Sequence, residues 1–416
     1  MAGNSKGSYS FYLMDEAIAF QNGRRTKKAL FLSSLLHEPL FTLYTFVSII
    51  LYKDLHASAF QIALLTMLKP VSTILSFYWS AWSKGRLRIN LLGAGFLMRL
   101  PFLLVPWFDQ AWYVIAASVN YMFFYRAGMP SWMEILKRNI PAGKRERAFS
   151  FSSALGYAEG FVLALAMGLL LDKDPGCWKG LFVGASLLGL VGVLVQCRVP
   201  LVECEKEDRP SFKELVARPW RDSWRLMRQN KEFAVFQWGF MLSGFAIMLV
   251  QPVYPIFMVD DLGITHIQMA MAIAAAKGLG YVASSPLWAR SLDRFSMHRV
   301  AGMVSVTFAL FPLLMVVSKW ALIWFYIAWF IYGMGQGGSH LVWSMSGPHF
   351  SKNEESSRYT GVGVVLAGMR GAVGPPLGNC LLGVWGALFT FALSGLLLFW
   401  SGFYLFKSSK KSLATN

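Results

Sequence analysis

Charged residues are scarce in this 416-residue chain, at 15% of the sequence, whereas soluble globular domains carry about 25%. Acidic residues are the rarer kind, since 22 Asp and Glu stand against 39 Lys and Arg, which gives a formal net charge of +17. The charged residues are unevenly distributed, because they are absent from long apolar blocks. This pattern excludes a soluble domain with a charged surface all round.

Several kinds of chemical site are also missing. The four cysteines have neither the spacing of a metal site nor that of a secreted disulfide framework, and we interpret them as free thiols: Cys177, Cys197, Cys204 and Cys380. No glycine-rich loop ends in Lys-Ser or Lys-Thr, which argues against an ATP-driven pump. No His/Cys cluster has metal-ligand spacing, and no Ser/His/Asp set falls on one membrane face. We therefore predict no cofactor, no metal and no enzymatic activity.

The first 28 residues do not have the pattern of a secretory signal peptide. They are polar, include Asp15 and Glu16, and lack a cleavage site of small residues. A basic cluster at 24–28 directly precedes the first apolar block. Basic residues favour the cytoplasmic side of a membrane, so the N-terminus is predicted to be cytoplasmic.

What the chain has in abundance is apolar sequence, at 55% of its residues. The apolar blocks are roughly 18–25 residues long, enough for a helix to cross a hydrocarbon core of about 30 Å. A membrane β-barrel would show short alternating segments instead. We predict an all-α polytopic membrane protein with twelve transmembrane helices, at 29–52, 59–82, 90–108, 110–129, 147–171, 178–197, 233–258, 266–289, 299–318, 320–343, 358–382 and 384–406.

The longest polar stretch, 198–231, divides six predicted helices from six. Its second part, from Phe212 to Met227, is amphipathic and predicts a surface helix, and the stretch is too short for a domain with its own core. The predicted organisation is a cytoplasmic N-terminal segment, two six-helix bundles joined by a cytoplasmic linker, and a cytoplasmic tail: 1–28, 29–197, 198–231, 232–406 and 407–416.

The basic residues are distributed unequally between the two predicted membrane faces. Thirty of the Lys and Arg residues fall on the side of the N-terminus and only four on the other side, namely Lys53, Lys173, Lys179 and Lys319. This positive-inside asymmetry predicts a bacterial inner-membrane type of protein with both termini in the cytoplasm. It also accounts for the net charge without a nucleic-acid partner.

The two halves of the chain are related. Residues 54–63 and 261–270 share Asp, Leu, Gln and Ala at matching positions, and Ser58 and Thr265 are matched as candidate helix N-caps. Three further pairs follow in nearly the same register: Lys69 with Lys277, Arg147 with Arg358, and Glu159 with Arg370. This duplication predicts two pseudo-symmetric bundles, as in many secondary transporters.

These features together resemble the major facilitator superfamily of secondary transporters. The loop 83–88 keeps the glycine and basic residues of the family's signature between helices 2 and 3 but lacks its aspartate, which the second-half loop 292–299 keeps. The stretch 140–148 is similar to the family's loop between helices 4 and 5, and 371–378 resembles its glycine- and proline-rich helix 11. The resemblance implies two bundles that rock around a site at the membrane midplane.

Seven charged residues lie inside the predicted helices, and such residues are functional candidates by default because their insertion costs about 2.5–3.5 kcal/mol each. They are two acids and five bases: Glu38, Glu159, Lys69, Arg99, Arg126, Lys277 and Arg370. The surplus of positive charge favours an anionic visitor. We predict that Lys69, Lys277 and Arg370 bind substrate. The alternative for the two lysines is snorkelling, or pairing with Glu38 or Glu159.

Proton coupling or gating is assigned to His37, Glu38 and Glu159, because a buried carboxyl or imidazole can exchange a proton near neutral pH. Glu159 and Arg370 are matched by the repeat and could form an ion pair between the halves, either as a gate or as a static bridge. His37 and Glu38 could equally be a helix-packing pair.

Three further residues are predicted to form a gate at the inner face. The family resemblance implies that Asp293 and Arg294 belong to a charge network there, although a solvated loop is the alternative. Arg126 near the inner end of helix 4 could line the inner mouth or snorkel to the interface. Arg99, before Pro101, favours a packing role.

These observations favour a secondary active transporter for a small organic anion or zwitterion, coupled to H⁺ by symport or antiport and embedded as a monomer in the lipid bilayer. A proton-driven multidrug exporter is the alternative within transport, since an intramembrane acid and aromatic walls would serve it too. A non-transporting membrane receptor on the same fold is the alternative from another class. The short linker and tail disfavour a receptor.

Overall fold

The computed structural model describes residues 5–82, 86–108, 110–140, 142–200, 212–351 and 356–413. Within these ranges every regular element is a helix or a helical turn, and no strand occurs. The first half contains α1 (Ser5–Ile49), α2 (Ala59–Trp82), α3 (Leu87–Leu97), α4 (Leu100–Leu103), α5 (Ala111–Asn139), α6 (Ala142–Lys173) and α7 (Trp178–Cys197).

A linker helix, α8 (Phe212–Gln229), connects the first half to the second. The second half contains α9 (Lys231–Val250), α10 (Val253–Ile256), α11 (His266–Ala270), α12 (Lys277–Arg294), α13 (Met297–Val317), α14 (Leu322–Ser351) and α15 (Ser356–Leu413). The term linker face is used below for the end of the bundle at which α8 lies. The opposite end is called the far face.

Seven segments of the described chain are long and apolar enough to cross a membrane: 21–54, 87–107, 155–173, 175–197, 231–261, 297–317 and 361–409. The last has 49 residues, about two membrane crossings at 1.5 Å per residue, and within α15 the helix is interrupted at Gly386, where φ is 80°. With α2, α5, α12 and α14, the order of helices agrees with the predicted twelve. The protein is an integral, multi-pass membrane protein.

The main departures from the predicted boundaries lie at the linker face. α5 continues to Asn139 instead of ending at 129, and α14 continues to Ser351 instead of 343. α1 already begins at Ser5, inside the predicted segment 1–28, and α15 runs on to Leu413. Hydropathy marks where a helix leaves the apolar layer, whereas the backbone hydrogen bonds continue into water.

Buried apolar residues show how the two halves meet. At the far face one continuous core contains residues of both halves, among them Leu171, Trp178, Phe257 and Phe325. Towards the linker face the core separates into one cluster of second-half residues and another of first-half residues. The halves are therefore packed together at the far face and apart at the linker face.

The predicted duplication is visible in the backbone. The first helix of each half ends in a π-helical turn, at Ile50–Asp54 and at Phe257–Asp261. The next helix then starts with a capping box. Ser58 Oγ accepts from the Gln61 amide at 3.3 Å, and Thr265 Oγ1 accepts from the Gln268 amide at the same distance. The predicted N-cap roles of Ser58 and Thr265 are confirmed.

The linker helix α8 touches both halves. Leu226 and Met227 pack against the linker-face core of the second half. On the other side the Trp220 indole N–H donates to the Tyr78 hydroxyl of α2 at 3.1 Å. The amphipathic surface helix predicted from the sequence is present, although residues 201–211 of the predicted linker lie outside the described ranges.

A close helix crossing in the second half gives a stability prediction. A Cβ atom on Gly378 of α15 would overlap the Leu249 carbonyl oxygen, whereas one on Gly383 of the same helix would meet nothing within 4 Å. We expect Gly378→Ala to destabilise the protein by about 1–3 kcal/mol, because backbone cannot yield as a side chain can. Thermal unfolding in detergent should show a lower midpoint than for wild type or the matched Gly383→Ala, and equal midpoints would contradict the prediction.

Candidate functional site

A cavity of about 1160 Å³ lies between the two halves. Its lining residues come from α9, α12, α13, α14 and α15 of the second half, and among the described residues only Pro70 and Arg126 come from the first half. The far end is closed by the core that both halves share. The cavity is therefore open towards the linker face.

The cavity wall is aromatic, polar and cationic. Five aromatic side chains line it: Phe240, Tyr281, Phe308, Tyr332 and Trp343. The polar lining residues include Gln251, Ser285, Gln336, Ser339 and His340. Arg126 and Arg370 supply the charge, and no carboxylate is among the described lining residues. Such a wall suits a solute that carries negative charge.

Arg370 is held in place by packing and has hydrogen-bonding capacity to spare. Its guanidinium lies 6.0 Å from the Trp343 ring, and Nη1 is 3.6 Å from the Met241 sulfur. Gly244 leaves the room that this side chain fills, since a Cβ there would overlap the guanidinium. Nε is buried without a hydrogen-bond partner among the described residues. A buried donor without a partner favours binding of an acceptor.

Arg126 supplies the first half's charge to the same cavity. The residue is exposed, and its guanidinium lies 5.9 Å from the Tyr125 ring centroid on α5. The sequence assigned Arg126 to an inner gate, but the structure places it on the cavity wall with Arg370.

The predicted lysine clamp is not what lines the cavity. Lys69 is turned into the first half, with Nζ 4.8 Å from the centroid of the Tyr44 ring. Lys277 packs within the second half, where its backbone meets Gly333 and its charge is close enough to interact with His340. Neither lysine is among the lining residues. The helix and the depth of both lysines follow from their positions in the sequence, whereas the direction in which each side chain points does not.

Two carboxylates lie together in the first half. Glu38 of α1 fits against α6, where a Cβ on Gly156 would lie 3.1 Å from Oε2 and one on Gly160 2.5 Å from Oε1. Thr42 donates to Glu38 Oε1 at 3.4 Å. Glu159 of α6 is close enough for the two charges to interact, and its Oε2 is buried without a hydrogen-bond partner among the described residues. Two such carboxyls can hold one proton between them.

The proposed ion pair of Glu159 with Arg370 is not formed in this conformation, and no ion pair joins them in the described chain. The two residues are pseudo-equivalent by sequence, but Arg370 turns to Met241 and Trp343 within its own half. His37, the neighbour of Glu38, points elsewhere as well. Its ring packs against Gly192 of α7, because adjacent positions on a helix face about 100° apart.

The remaining predicted residues lie outside the cavity. Asp293 and Arg294 are exposed at the linker-face end of α12, and the described residues form no ion pair with either. Residues 83–85 of the matching first-half loop lie outside the described ranges. Arg99 is 1% exposed and donates to the Gly95 carbonyl at 2.7 Å, which fits its predicted packing role.

A polar cluster closes the far face between the halves. Asp172, at the end of α6, accepts hydrogen bonds from the His266 and Ile267 amides at 2.9 and 3.0 Å. The same carboxylate lies 2.9 Å from His266 Nδ1. Beside it, the Tyr52 hydroxyl donates to Asp260 Oδ2 at 2.5 Å. We call this set, with Lys53 and Asp54, the far gate: Tyr52, Lys53, Asp54, Asp172, Asp260 and His266.

Comparison with known families decides the class of the protein. The Major Facilitator Superfamily model matches residues 30–250 and 238–416, which together cover nearly all of the chain. The chain belongs to the Major Facilitator Superfamily. As a member of this superfamily it is a secondary transporter and is not expected to be an enzyme.

One curated relative within the superfamily is the proton-coupled antiporter flippase LtaA of Staphylococcus aureus. It is 24% identical over 297 residues, which cover 70% of this chain and 70% of the relative. The relative occurs under the same name in several strains of that organism, such as MRSA252 and USA300.

Solved structures of the superfamily share the fold. A POT family transporter in complex with 5-aminolevulinic acid matches with a TM-score of 0.73 at 14% identity, over 93% of this chain and 96% of that one. The nucleoside transporter NupG matches with a TM-score of 0.69 at 13% identity, over 92% and 98%. At these identities the likeness concerns the fold alone.

The far gate is not among the sites predicted from the sequence. Asp54 and His266 both fall inside the repeat, but they are not matched to each other, and Asp172 lies one residue beyond the predicted helix 147–171. The available signal was a set of charged residues at the ends of three predicted helices on the side that is otherwise poor in charge.

The tight packing at the far gate gives a second prediction. A Cβ on Gly168 of α6 would lie 3.0 Å from the Ile267 Cα atom, whereas one on Gly180 of α7 would meet nothing within 4 Å. We expect Gly168→Leu to separate α6 from α11 and to favour a conformation open at the far face. Labelling of a cysteine in the far half of the cavity by a membrane-impermeant maleimide should rise at least about tenfold. Gly180→Leu serves as the control, and equal labelling in both variants would contradict the prediction.

Proposed function

We propose that the protein moves a small organic anion across the bacterial inner membrane by alternating access. One observation carries the proposal: a cavity between the halves presents Arg126 from one half and Arg370 from the other, and no described lining residue is acidic. An anion bound to both arginines would neutralise charge that is otherwise costly inside the membrane. Both halves would also contact the same ligand while they move relative to each other.

The proposed orientation places the linker face in the cytoplasm. Most Lys and Arg residues lie at this face, in agreement with the positive-inside rule. The conformation described above, closed at the far face and open at the linker face, is then an inward-facing state. In this state the cavity exchanges solute with the cytoplasm.

Proton coupling is assigned to Glu38 and Glu159. They lie together on α1 and α6, close enough for their charges to interact, and two neighbouring carboxylates resist being ionised at the same time. A proton bound here would be released when the local geometry or water access changes. The relative LtaA is named a proton-coupled antiporter, which supports coupling to H⁺ without fixing its direction in this chain.

A proton-driven exporter of lipophilic compounds is the second candidate. The aromatic wall formed by Phe240, Tyr281, Phe308, Tyr332 and Trp343 favours it, because aromatic faces bind apolar and cationic rings. The arginines oppose it, since a lipophilic cation would be repelled from a site with two fixed positive charges. The sign of the charge on the preferred solute distinguishes the anion transporter from the exporter.

The experiment that tests the proposal is thermal stabilisation of the purified protein by a panel of anionic, zwitterionic and cationic metabolites. A ligand that binds only the folded state raises the melting temperature by mass action. We expect stabilisation by one class of anion, reduced in Arg126→Ala and in Arg370→Ala. Stabilisation by lipophilic cations alone, unchanged in both variants, would replace the anion proposal with the exporter.

A further inference from the structure

The imidazole of His266 is enclosed at the boundary between the two halves. The residue is 1% exposed and stands at the start of α11 in the second half. Its Nδ1 lies 2.9 Å from Asp172 Oδ1, and its Nε2 lies 3.3 Å from Asp54 Oδ2. Both carboxylates belong to the first half, so the ring bridges the halves.

The neutral imidazole has fewer N–H groups than there are carboxylates facing it. A neutral imidazole has one N–H, whereas the protonated form has two. Asp172 faces one ring nitrogen and Asp54 the other. Asp54 Oδ2 and His266 Nε2 are buried and, although 3.3 Å apart, are not aligned as a hydrogen bond, and neither atom has another hydrogen-bond partner among the described residues. Two N–H groups would serve both carboxylates at once.

The charges around the ring lead to the same conclusion. From the π-helical turn of the first half, Lys53 faces the ring with Nζ 3.4 Å from Nδ1, and the same ammonium lies 3.9 Å from Asp172. Asp54 and Asp174 both lie close enough to Cys177 of the first half for their charges to act on its thiol. With neutral His266, the two carboxylates of Asp54 and Asp172 face the single ammonium of Lys53. A proton on the ring makes the numbers of positive and negative charges equal.

We propose that the far gate contains a proton-binding site, made of the His266 imidazole between Asp54 and Asp172, whose occupation holds the far face closed. This inference rests on the proposed function, because it names a second place where the transported proton binds. It is distinct from Glu38 and Glu159, which lie within the first half, since the proton here sits between the halves themselves.

Protonation of this site favours the closed far gate. With the proton in place, the ring carries a positive charge between the two carboxylates of the opposite half, and charge-assisted hydrogen bonds are about twice as strong as neutral ones. Without it, the ring has a single N–H, so one of the two carboxylates faces a ring nitrogen that cannot donate to it, and a buried carboxylate in that condition gains by reaching water. Opening the far gate supplies that water. Acid on the far side therefore drives closure, and loss of the proton permits reopening.

The test measures the far gate directly, on the full-length protein in lipid nanodiscs and without substrate. The four native cysteines are replaced by serine, and spin labels are placed on one exposed position of each half near the far face, Trp107 and Trp320. Distances between the labels are measured by pulsed electron paramagnetic resonance at pH 5 and pH 8. We expect the ratio of closed to open gates to fall about tenfold from pH 5 to pH 8.

Two substitutions define the outcomes. His266→Gln removes the imidazole of the proposed proton-binding site and should leave the gate more open at pH 5, with no response to pH. Asp54→Asn removes the carboxylate that needs the proton and should keep the gate closed at both pH values. Glu134→Gln on α5, whose carboxylate pairs with Arg138 outside the far gate and the cavity, should retain the wild-type response. A wild-type protein without a pH response, or a His266→Gln variant that keeps it, would overturn the inference.

The proposed function and this inference fail in different ways. If anions do not bind but the label distances respond to pH as expected, the anion proposal is wrong and the proton site stands. If anions bind and are transported while the distances are indifferent to pH, only the proton site is wrong. Thermal unfolding of each variant identifies a variant that does not fold, and the Asp54→Asn protein then still decides the question.

Discussion

Alanine at position 370 is expected to weaken anion binding by roughly 30- to 1000-fold, which corresponds to about 2–4 kcal/mol. Arg370 is the second half's only guanidinium on the described cavity wall. Its Nε has no partner within the described protein, so the bond to the anion has no internal competitor. The substitution also leaves the space beside Gly244 unfilled.

The variant Arg370→Lys separates charge from geometry. Lysine keeps the positive charge but lacks the planar fork that binds two oxygens of a carboxylate or phosphate at once. We expect Arg370→Lys to bind more weakly than wild type and more strongly than Arg370→Ala. Arg225→Ala, on the exposed face of the linker helix, is the matched control and should bind normally. Affinity is measured by isothermal titration calorimetry in detergent, with the anion identified by thermal stabilisation.

An intermediate result is informative about the first half. If Arg370→Ala retains full affinity and Arg126→Ala loses it, the anion is held by the first half alone. The clamp between the halves is then wrong, although an anion site remains. Loss in both variants, with a double variant no worse than either, would indicate one shared ligand.

The second large effect is expected from Glu38→Gln. Glutamine has nearly the same shape but cannot release a proton, so the variant should lose accumulation of solute driven by a pH gradient while keeping exchange of solute down its own gradient. Glu159→Gln should weaken the same coupling, because the proton is shared between neighbouring carboxyls. The measurement uses proteoliposomes with labelled solute outside and a pH-sensitive dye inside.

The control for coupling is a carboxylate of similar chemistry at another place. Glu134→Gln on α5 breaks an ion pair with Arg138 at 2.9 Å, near the linker face and outside the cavity, and surface pairs of this kind contribute about 0–1 kcal/mol. We expect it to transport and to couple like wild type. Proton movement that persists in the Glu38→Gln, Glu159→Gln double variant would assign coupling to other groups.

The helices and the repeat were accessible from the sequence because they depend on local patterns. A helix that crosses the membrane must be apolar along its whole length, so its position can be predicted from composition. The caps at Ser58 and Thr265 are set by hydrogen bonds over three residues and were predicted correctly. The lengths of helices at the linker face were underestimated, since α5 and α14 continue beyond the apolar layer.

The site was predicted less completely because it depends on the rotation of each helix about its axis. The depth of Lys69 and Lys277 follows from their place in the sequence, but one residue's difference in position turns a side chain by about 100°. Lys69 turns to Tyr44, and the cavity receives Arg126 and Arg370 instead. The far gate joins α6, α11 and the end of α1, which no local pattern could have brought together.

The bond from Trp220 to Tyr78 gives the linker helix a mechanical role. Leu226 and Met227 anchor α8 to the second half, while the indole reaches across to α2 of the first. When the halves exchange their open and closed ends, α8 travels with the half it packs against, so the indole has to release Tyr78 or be drawn along. The hydrogen bond from Trp220 to Tyr78 therefore belongs to the conformation in which the cavity is open at the linker face. The connector thereby contributes to the resting balance between the two positions of the carrier.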